Sequence, residues 1–270
     1  MEGEQMEFDF VNDEPEPHDD PMDVKLIHFT GKGAANEQWA AVDLLLFTKN
    51  TRLEMKPGLF RKIQSMSTEE KLAQLKYMAN TIPSSWEFVD YVFLVSGVSR
   101  AYTHQQVRTR AASYAQQSLR VVDKKAFDYI FTERNLKSPK AERIIKTACY
   151  QIQDAYDKLL EEGQPIEDAR GILPTNISTN IVCKFNMRTF VDLAKSRSGG
   201  RTQNEYQQVV RKMIDAVLEV HPWMDMFLFG DRGRDYFDEI EAFAKEEFGD
   251  DLKKKGKLLK IVDKLRKESK

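Results

Sequence analysis

Cysteine and histidine are scarce in this chain of 270 residues. The two cysteines, Cys149 and Cys183, stand far apart with no Cys-x-x-Cys spacing, so neither a zinc site nor a disulfide framework is expected, and a reducing cytoplasm is the default setting. The four histidines, His18, His28, His104 and His221, form no ligand cluster. Only His104 lies near a Ser-rich stretch, which is a poor basis for a Ser–His nucleophile and none for metal catalysis. Nothing approaches 18 consecutive apolar residues, so no membrane-spanning helix is expected. The first residues are acidic instead of basic followed by apolar, against the pattern of a signal peptide. One further absence is local. No Asp or Glu falls between Asp90 and Asp123, although 31% of the chain is charged.

The length suits one large domain, or one domain with appendages, and a hydrophobic fraction of 41% is enough for a packed core. Charge is unevenly placed. Residues 1–23 hold ten acids and no Lys or Arg, while residues 252–270 hold nine bases and two acids. The net charge of -2 therefore hides an acidic arm, a basic end and a nearly neutral middle. A neutral middle argues against general nucleic-acid binding by the core. With Pro15, Pro17 and Pro21 among its acids, the arm is predicted to be disordered.

Within the acid-free stretch, His104 to Val121 carries Arg108, Arg110 and Arg120, interleaved with Ser113, Gln116, Gln117 and Ser118. Surface arginines usually have acidic neighbours three or four positions away. Here the guanidinium groups have none locally, and short hydroxyl and amide donors lie between them. That combination suits a polyanion such as phosphate, because Arg donates two hydrogen bonds in a fork and Ser or Gln completes the shell. The alternative is a solvated helix and loop whose carboxylate partners arrive from elsewhere in the fold. Both readings stay open at this point.

Along the chain, Val24 to Thr30 reads as a short strand, ended by the Gly31-Lys32-Gly33 turn. Helical patterns follow at about 36–48, 58–66 and 68–80, the last opened by the capping-box spacing Ser67-x-x-Glu70. Glu87 to Gly97 reads as a buried strand. Ser99 is a plausible N-cap for a helix carrying Gln105 and Arg108 on one face, and residues 112–121 read as extended or loop. A helix from Pro139 to Glu162 is predicted to bury Ile144, Ala148, Ile152, Ala155, Tyr156 and Leu159, with Gly163 as its stop. Residues 177–186 suggest a second core strand, and Met187 to about Lys195 a short helix. The basic turn Ser196 to Arg201 then feeds a helix over 203–220 that starts with the capping-box spacing Thr202-x-x-Glu205. A Gly-rich basic turn before a helix is a natural anion site, though such a sequence alone is more often just a turn. An acidic helical stretch at 235–247 and a lysine-rich helix with Leu252, Leu259, Val262 and Leu265 on one side complete the chain.

Two blocks in register resemble the flavin-dependent thymidylate synthases. Arg108-Thr109-Arg110-Ala111-Ala112-Ser113, followed by Ser118-Leu119-Arg120-Val121, is similar to that family's signature Arg-His-Arg-x-x-Ser, four positions, Ser-x-Arg-Tyr. Ala169-Arg170-Gly171-Ile172-Leu173-Pro174 resembles its Ala-Arg-x-x-Leu-Pro element. Thr179, Asn186, Arg188, Arg197 and Gln203-Asn204-Glu205 follow at matched spacing. Gly97 to Ala101 and Gln105 also fit, as does Ser84 with Glu87. The resemblance runs from about Val24 to Trp223.

What the resemblance implies is an α+β fold with a central, mostly antiparallel sheet packed with helices, in a homotetramer whose active sites are shared between subunits. FAD reduced by NADPH and a one-carbon unit from methylenetetrahydrofolate would convert dUMP to dTMP, with no protein nucleophile attacking the base. Arg197 and Ser118 would be catalytic. Gln105, Gln116, Gln117, Ser118, Arg120, Arg170 and Arg197 would bind the pyrimidine deoxynucleotide monophosphate. Ser84, Arg108, Thr109, Arg110, Asn186, Arg188 and Arg201 would hold FAD, with a satisfied strand end as the other reading of Asn186 and Arg188. The organisation expected is an acidic arm (1–23), a catalytic domain (24–230) and a helical extension with a basic end (231–270).

The departures follow a pattern. Where the family often has histidines near the flavin, this chain has Ile82, Phe88, Thr109 and Arg201, while the nucleotide-side positions are better preserved. Three functions are therefore weighed: a thymidylate synthase of this kind, a relative acting on dCMP or leaving a hydroxymethyl group, and a non-catalytic nucleotide-binding or scaffold protein with a decayed flavin site.

Overall fold

Aromatic and β-branched residues at alternate positions make Asp90–Ser99 (β2) the strand around which the sheet is built. In the computed structural model the described residues are 22–50, 55–81, 83–119, 128–132, 136–197, 203–230, 240, 256–262 and 264. Tyr91, Phe93 and Val95 point into the core with no exposed surface. On one side β2 pairs with Asp23–Phe29 (β1), and on the other with Ser178–Asn186 (β4), which in turn pairs with Ala112–Gln116 (β3). The order is β1-β2-β4-β3 and every pairing is antiparallel. The α+β expectation holds.

Two irregularities shape this sheet. Between Leu26 and His28 the register of β1 slips, which leaves Ile27 outward and explains the mixed alternation of that strand. In β2, Val95 faces Ile181 and Val98 faces Thr179, so Ser96 and Gly97 together oppose Asn180. Gly97 takes φ +64°, a left-handed value that a Cβ would strain. Its N–H donates to Asn180 Oδ1 at 3.0 Å. The bulge resets the alternation so that Val98 and Ser99 are both buried, and Ser99 starts the next helix.

That helix, Arg100–Gln106 (designated α4 in chain order), belongs to the crossover joining β2 to β3. Both strands run antiparallel to β4 and are therefore parallel to each other, a relation that needs a crossover and not a hairpin. Before the crossover come Glu37–Lys49 (α1), Pro57–Gln64 (α2) and Thr68–Ala79 (α3). The Ser67/Glu70 capping box forms as expected. Pro139–Glu161 (α5), Met187–Arg197 (α6) and Asn204–Val220 (α7) follow β3. The core lies between the inward face of β2 and β4 and the helices α1, α3, α6 and α7. Tyr156, Ala169 and Ile177 make a second, smaller cluster under α5. No helix among the described residues is long and apolar enough to cross a membrane.

Several expectations need correction. Glu87 and Phe88 belong to a 3-10 turn at Pro83–Phe88, not to the strand, and Phe88 is 56% exposed. The helix α4 stops at Gln106, so Arg108 does not share a helical face with Gln105; its N–H closes a turn on Gln105 O. On α5 the buried residues are Cys149 and Tyr156, while Ile144 is 60% exposed and Ala148 and Ala155 are also exposed. Of the expected stripe, Tyr156 is buried with Leu159 packed against the same cluster, and Ile152 is half-buried. The helix α6 runs on to Arg197. At the start of α7 the N-cap is Gln203 with no side-chain cap, and Glu205 turns elsewhere. The acidic arm, save Met22 and Asp23, and most of 231–270 lie outside the described residues; residues 256–262 are helical with Val262 buried.

His221 ends α7 inside an aromatic cage. It is 0% exposed, its Nδ1 is 3.0 Å from Tyr91 Oη, and its ring stacks on Trp223 at 4.9 Å. Burial pushes its pKa down from 6.5 to about 4. On acidification the unfolded chain takes up this proton first, so the stability present above pH 6.5 is lost as pH falls towards 4. The loss should be about 3 kcal/mol. Urea midpoints across this range should fall more steeply for the native protein than for His221→Phe, whatever that variant's absolute stability. Equal slopes would contradict the assignment.

Candidate active site

The site is assembled from the end of β2. Ser99 caps α4 by accepting from Tyr102 N–H at 3.1 Å. Its own N–H and Oγ donate to the two oxygens of Glu205, each at 2.6 Å. Glu205 is only 6% exposed, so this carboxylate depends on those donors and on the first turn of α7. Gln203 Nε2 reaches the same carboxylate at 3.4 Å, while Gln203 Oε1 accepts from Gln105 Nε2 at 2.9 Å. The side chain of Gln105 is thus oriented by a chain of bonds that starts at Glu205.

At the same end of the sheet, Gln116 Nε2 donates to Thr103 Oγ1 at 2.8 Å. The N–H of Gln117 bonds Asn180 O at 3.0 Å, and Gln117 O accepts from Arg100 Nη2 at 3.1 Å. Ser118 follows, exposed. Arg170 sits half-buried after the one-turn helix Ile166–Ala169, with Nε donating to Glu167 O at 3.1 Å. Burial and the neighbouring charge of Arg170 both push Arg100 below its ordinary value.

The turn after α4 carries Arg108, Thr109 and Arg110. It is fixed from below by Tyr114, whose Oη lies 2.9 Å from Gln106 O and 2.8 Å from Thr109 O. Burial raises the Tyr114 pKa to about 12, so it stays a neutral donor. Arg108 and Arg110 are exposed. Among the described residues the only arginine in an ion pair is Arg188. At the end of α6 the Arg197 guanidinium lies 5.1 Å over the Tyr206 ring, and its Nε is buried with no hydrogen-bond partner. Burial raises the Tyr206 pKa, and both Thr109 and Arg197 are near enough to pull it back. Thr109 and Arg197, far apart in sequence, therefore meet at one tyrosine.

Asn186, Arg188 and Ser84 lie at the other end of β2 and β4, the end at which Ala112, two residues after Arg110, pairs with Phe185. Asn186 Oδ1 caps α6 by accepting from Thr189 N–H at 2.9 Å. Arg188 Nη1 pairs with Glu87 Oε1 at 2.7 Å. Ser84 lines a cavity of about 400 Å³ whose other walls are Leu44, Phe47, Thr48, Met55, Ser85 and Phe88. The register Asp90↔Asn186 to Ser99↔Ser178 separates the two ends by eight residues of β4, roughly 25 Å at the rise of a strand. Arg120 and Arg201 lie outside the described residues, as do Ile82 and the Ser198-Gly199-Gly200 turn.

Residues 25–223 match the sequence profile of the family described as thymidylate synthase complementing protein. The chain belongs to that family. It is similar to the flavin-dependent thymidylate synthase of Sulfurisphaera tokodaii, 38% identical over 134 residues covering 49% of this chain and 51% of the relative. The corresponding protein of Geobacter sulfurreducens is 33% identical over 168 residues, 61% of this chain and 72% of the relative. That of Pyrococcus horikoshii is 31% identical over 216 residues, 77% and 86%. Against several of these curated relatives the matched chain spans only about half their length.

For a member of the thymidylate synthase complementing family, the residues that sequence reasoning left out are Arg100, Asn180, Glu205 as an anchor, and Tyr206. Arg100 shares the acid-free stretch and could have been found by the same signal. Glu205 was read as a local cap, and nothing local connects it to Ser99. Removing its side chain in Glu205→Ala leaves two buried donors of Ser99 unpaired, at about 1–3 kcal/mol each. The variant should melt several degrees lower and bind any ligand of Gln105 more weakly. An unchanged melting curve would show that water replaces the carboxylate.

Proposed function

We propose that this chain transfers a one-carbon unit from methylenetetrahydrofolate to C5 of a pyrimidine deoxynucleotide monophosphate, converting dUMP to dTMP with FAD as cofactor and NADPH as reductant. The observation that carries the reading is a set of arginines, Arg108, Arg110, Arg170 and Arg197, that meet no carboxylate among the described residues, in a chain of this family. Cations left unneutralised beside Gln and Ser donors suit phosphate and polar ring edges.

The residues present fit a flavin dinucleotide. Arg108 and Arg110 are exposed and unpaired, as a pyrophosphate requires, and the cavity beside Ser84 has the apolar walls that a flat ring requires. Asn186 and Arg188 would join by exchanging the partners they now hold. When bound, the flavin supplies the hydride that completes the methyl group, and NADPH restores the two electrons. The chain's own residues bind and orient. Gln105, Gln116, Gln117, Ser118, Arg120 and Arg170 hold the nucleotide. As the C5–methylene bond forms, the methylene's bond to folate nitrogen breaks and the C5 proton leaves. The charge of Arg197 stabilises the pyrimidine carbonyl through these changes, and Ser118 holds the ring edge. Thr109 would meet the flavin with a hydroxyl in place of a titrating imidazole, and Arg201, outside the described residues, is expected to join it.

A homotetramer with shared sites is part of the same reading. The Ser99 end of the sheet and the end carrying Asn186 and Arg188 stand roughly 25 Å apart along β4, so a second subunit would bring Asn186 and Arg188 of one chain towards the nucleotide side of another, while Thr109 already stands near Arg197 within one chain. The apolar residues that α5 leaves exposed, among them Ile144 and Tyr150, support such an assembly. A cytoplasmic setting agrees with two cysteines that are both unpaired and buried.

Protein incubated with FAD and desalted should retain the visible flavin spectrum. The loaded protein, given methylenetetrahydrofolate, NADPH and dUMP, should yield dTMP by mass spectrometry. Colourless protein that leaves dUMP and dCMP unchanged, with and without a Thr109→His substitution, would remove the enzyme reading. A hydroxymethyl product would keep the transfer but move the hydride step elsewhere. Arg170→Ala should weaken dUMP binding by about 1.5–3 kcal/mol by calorimetry; equal affinity would take Arg170 out of the site.

A further inference from the structure

Among the described residues, two cations lie over aromatic rings, and they are held differently. Lys71 Nζ is 5.9 Å from the centre of the Trp39 ring and 2.7 Å from Asp43 Oδ1, so a carboxylate cancels its charge. Arg197 Cζ is 5.1 Å from the centre of the Tyr206 ring, and Arg197 forms no ion pair among the described residues. Its Nε is buried without a hydrogen-bond partner. The ring beneath it is firmly placed. Tyr206 is fully buried and directly follows Glu205, whose carboxylate takes two bonds of 2.6 Å from Ser99. Tyr102 packs edge-on against it, with ring centres 5.2 Å apart at 85°. Tyr102 is held in turn by the bond from its Oη to Gln106 Oε1 at 3.0 Å.

An aromatic face attracts a guanidinium through its quadrupole and leaves the positive charge in place, whereas a carboxylate would cancel it. A cation that stabilises negative charge developing on a carbonyl must be oriented without being neutralised. From this we infer that Tyr206 is a positioning residue, whose ring face carries Arg197 and aims an uncancelled charge at the pyrimidine carbonyl. The inference rests on the role given to Arg197 in the reaction proposed above. It adds the residue after Gln203-Asn204-Glu205, which lies outside the blocks that resemble the family. It also gives the Glu205 anchor a second consequence, because the turn of α7 that grips Ser99 is the turn that sets the ring.

Kinetics of the FAD-loaded protein, with dUMP affinity measured by calorimetry, test this on a ring of constant shape. Tyr206→Phe keeps the face and should stay within about threefold of the native kcat. Trifluorinated phenylalanine placed at position 206 keeps nearly the same volume but withdraws negative charge from the face. It should lower kcat about tenfold. Binding of dUMP should weaken by less than about threefold, since the charge that Arg197 meets develops only during transfer. In an Arg197→Ala background the same fluorination should change nothing. A kcat indifferent to fluorination overturns the inference, as does an equal fall in both backgrounds. A Tyr206→Phe protein as slow as the fluorinated one assigns the effect to the hydroxyl and overturns it too. Arg197→Ala with the native kcat removes the role of Tyr206 while leaving the conversion of dUMP in place. Native protein that makes no dTMP removes the reaction and this role together.

Discussion

A buried carboxylate gripping a serine holds the two halves of this protein together. Glu205 has almost no access to water and no ion-pair partner among the described residues, so the cost of burying its charge is offset by the two short bonds from Ser99 and by the amide dipoles of the first turn of α7. Those bonds are made by the last residue of β2 and the cap of α4. Fixing Ser99 therefore fixes both the end of the central strand and the direction of the crossover. Gln203 carries the constraint one step further, to Gln105. Arg100, immediately after Ser99, inherits its position from the same anchor.

The bulge at Ser96 and Gly97 makes that arrangement possible. Without the extra residue, the alternation of β2 would turn Ser99 to the opposite face from the one that meets α7. Gly97 is the one residue type that takes the required left-handed φ at no cost, and Asn180 holds it through a side-chain carbonyl. Asn180 also supplies its backbone carbonyl to Gln117. One residue of β4 thus ties the bulge on one neighbouring strand to the segment at Gln117 beyond the other.

What could be read from the sequence is what is encoded locally. Alternation in β2 and β4, the caps at Ser67 and Ser99, and the stop at Gly163 all depend on residues a few positions apart, and all are present. The sequence does not show which of two apolar sides of α5 faces inward, because that depends on the loop at 170–177 packing against Cys149 and Tyr156. Nor does it show that the expected site residues fall at both ends of one strand pair. Glu205 shows the limit most clearly. Its spacing from Thr202 fits a cap, but a partner 106 positions earlier wins because Ser99 offers two donors in a site that water does not reach.

Charge is matched in some parts of this protein and unmatched in others. Where stability is the concern, cations are matched: Lys71 with Asp43 inside the α1–α3 packing, Lys184 with Asp90, Arg188 with Glu87. Around the crossover this rule is set aside. Arg100 and Arg170 repel, and buried Nε atoms of Arg100 and Arg197 lack acceptors, each at a cost in folding free energy. Other buried polar atoms without hydrogen-bond partners include Ser85 Oγ, Trp86 Nε1 and Thr179 Oγ1, which are uncharged, and the two arginines are the cations among them. Thr109 stands near Arg197 at Tyr206, so a substitution there acts on the surroundings of that arginine and not on Arg100 or Arg170.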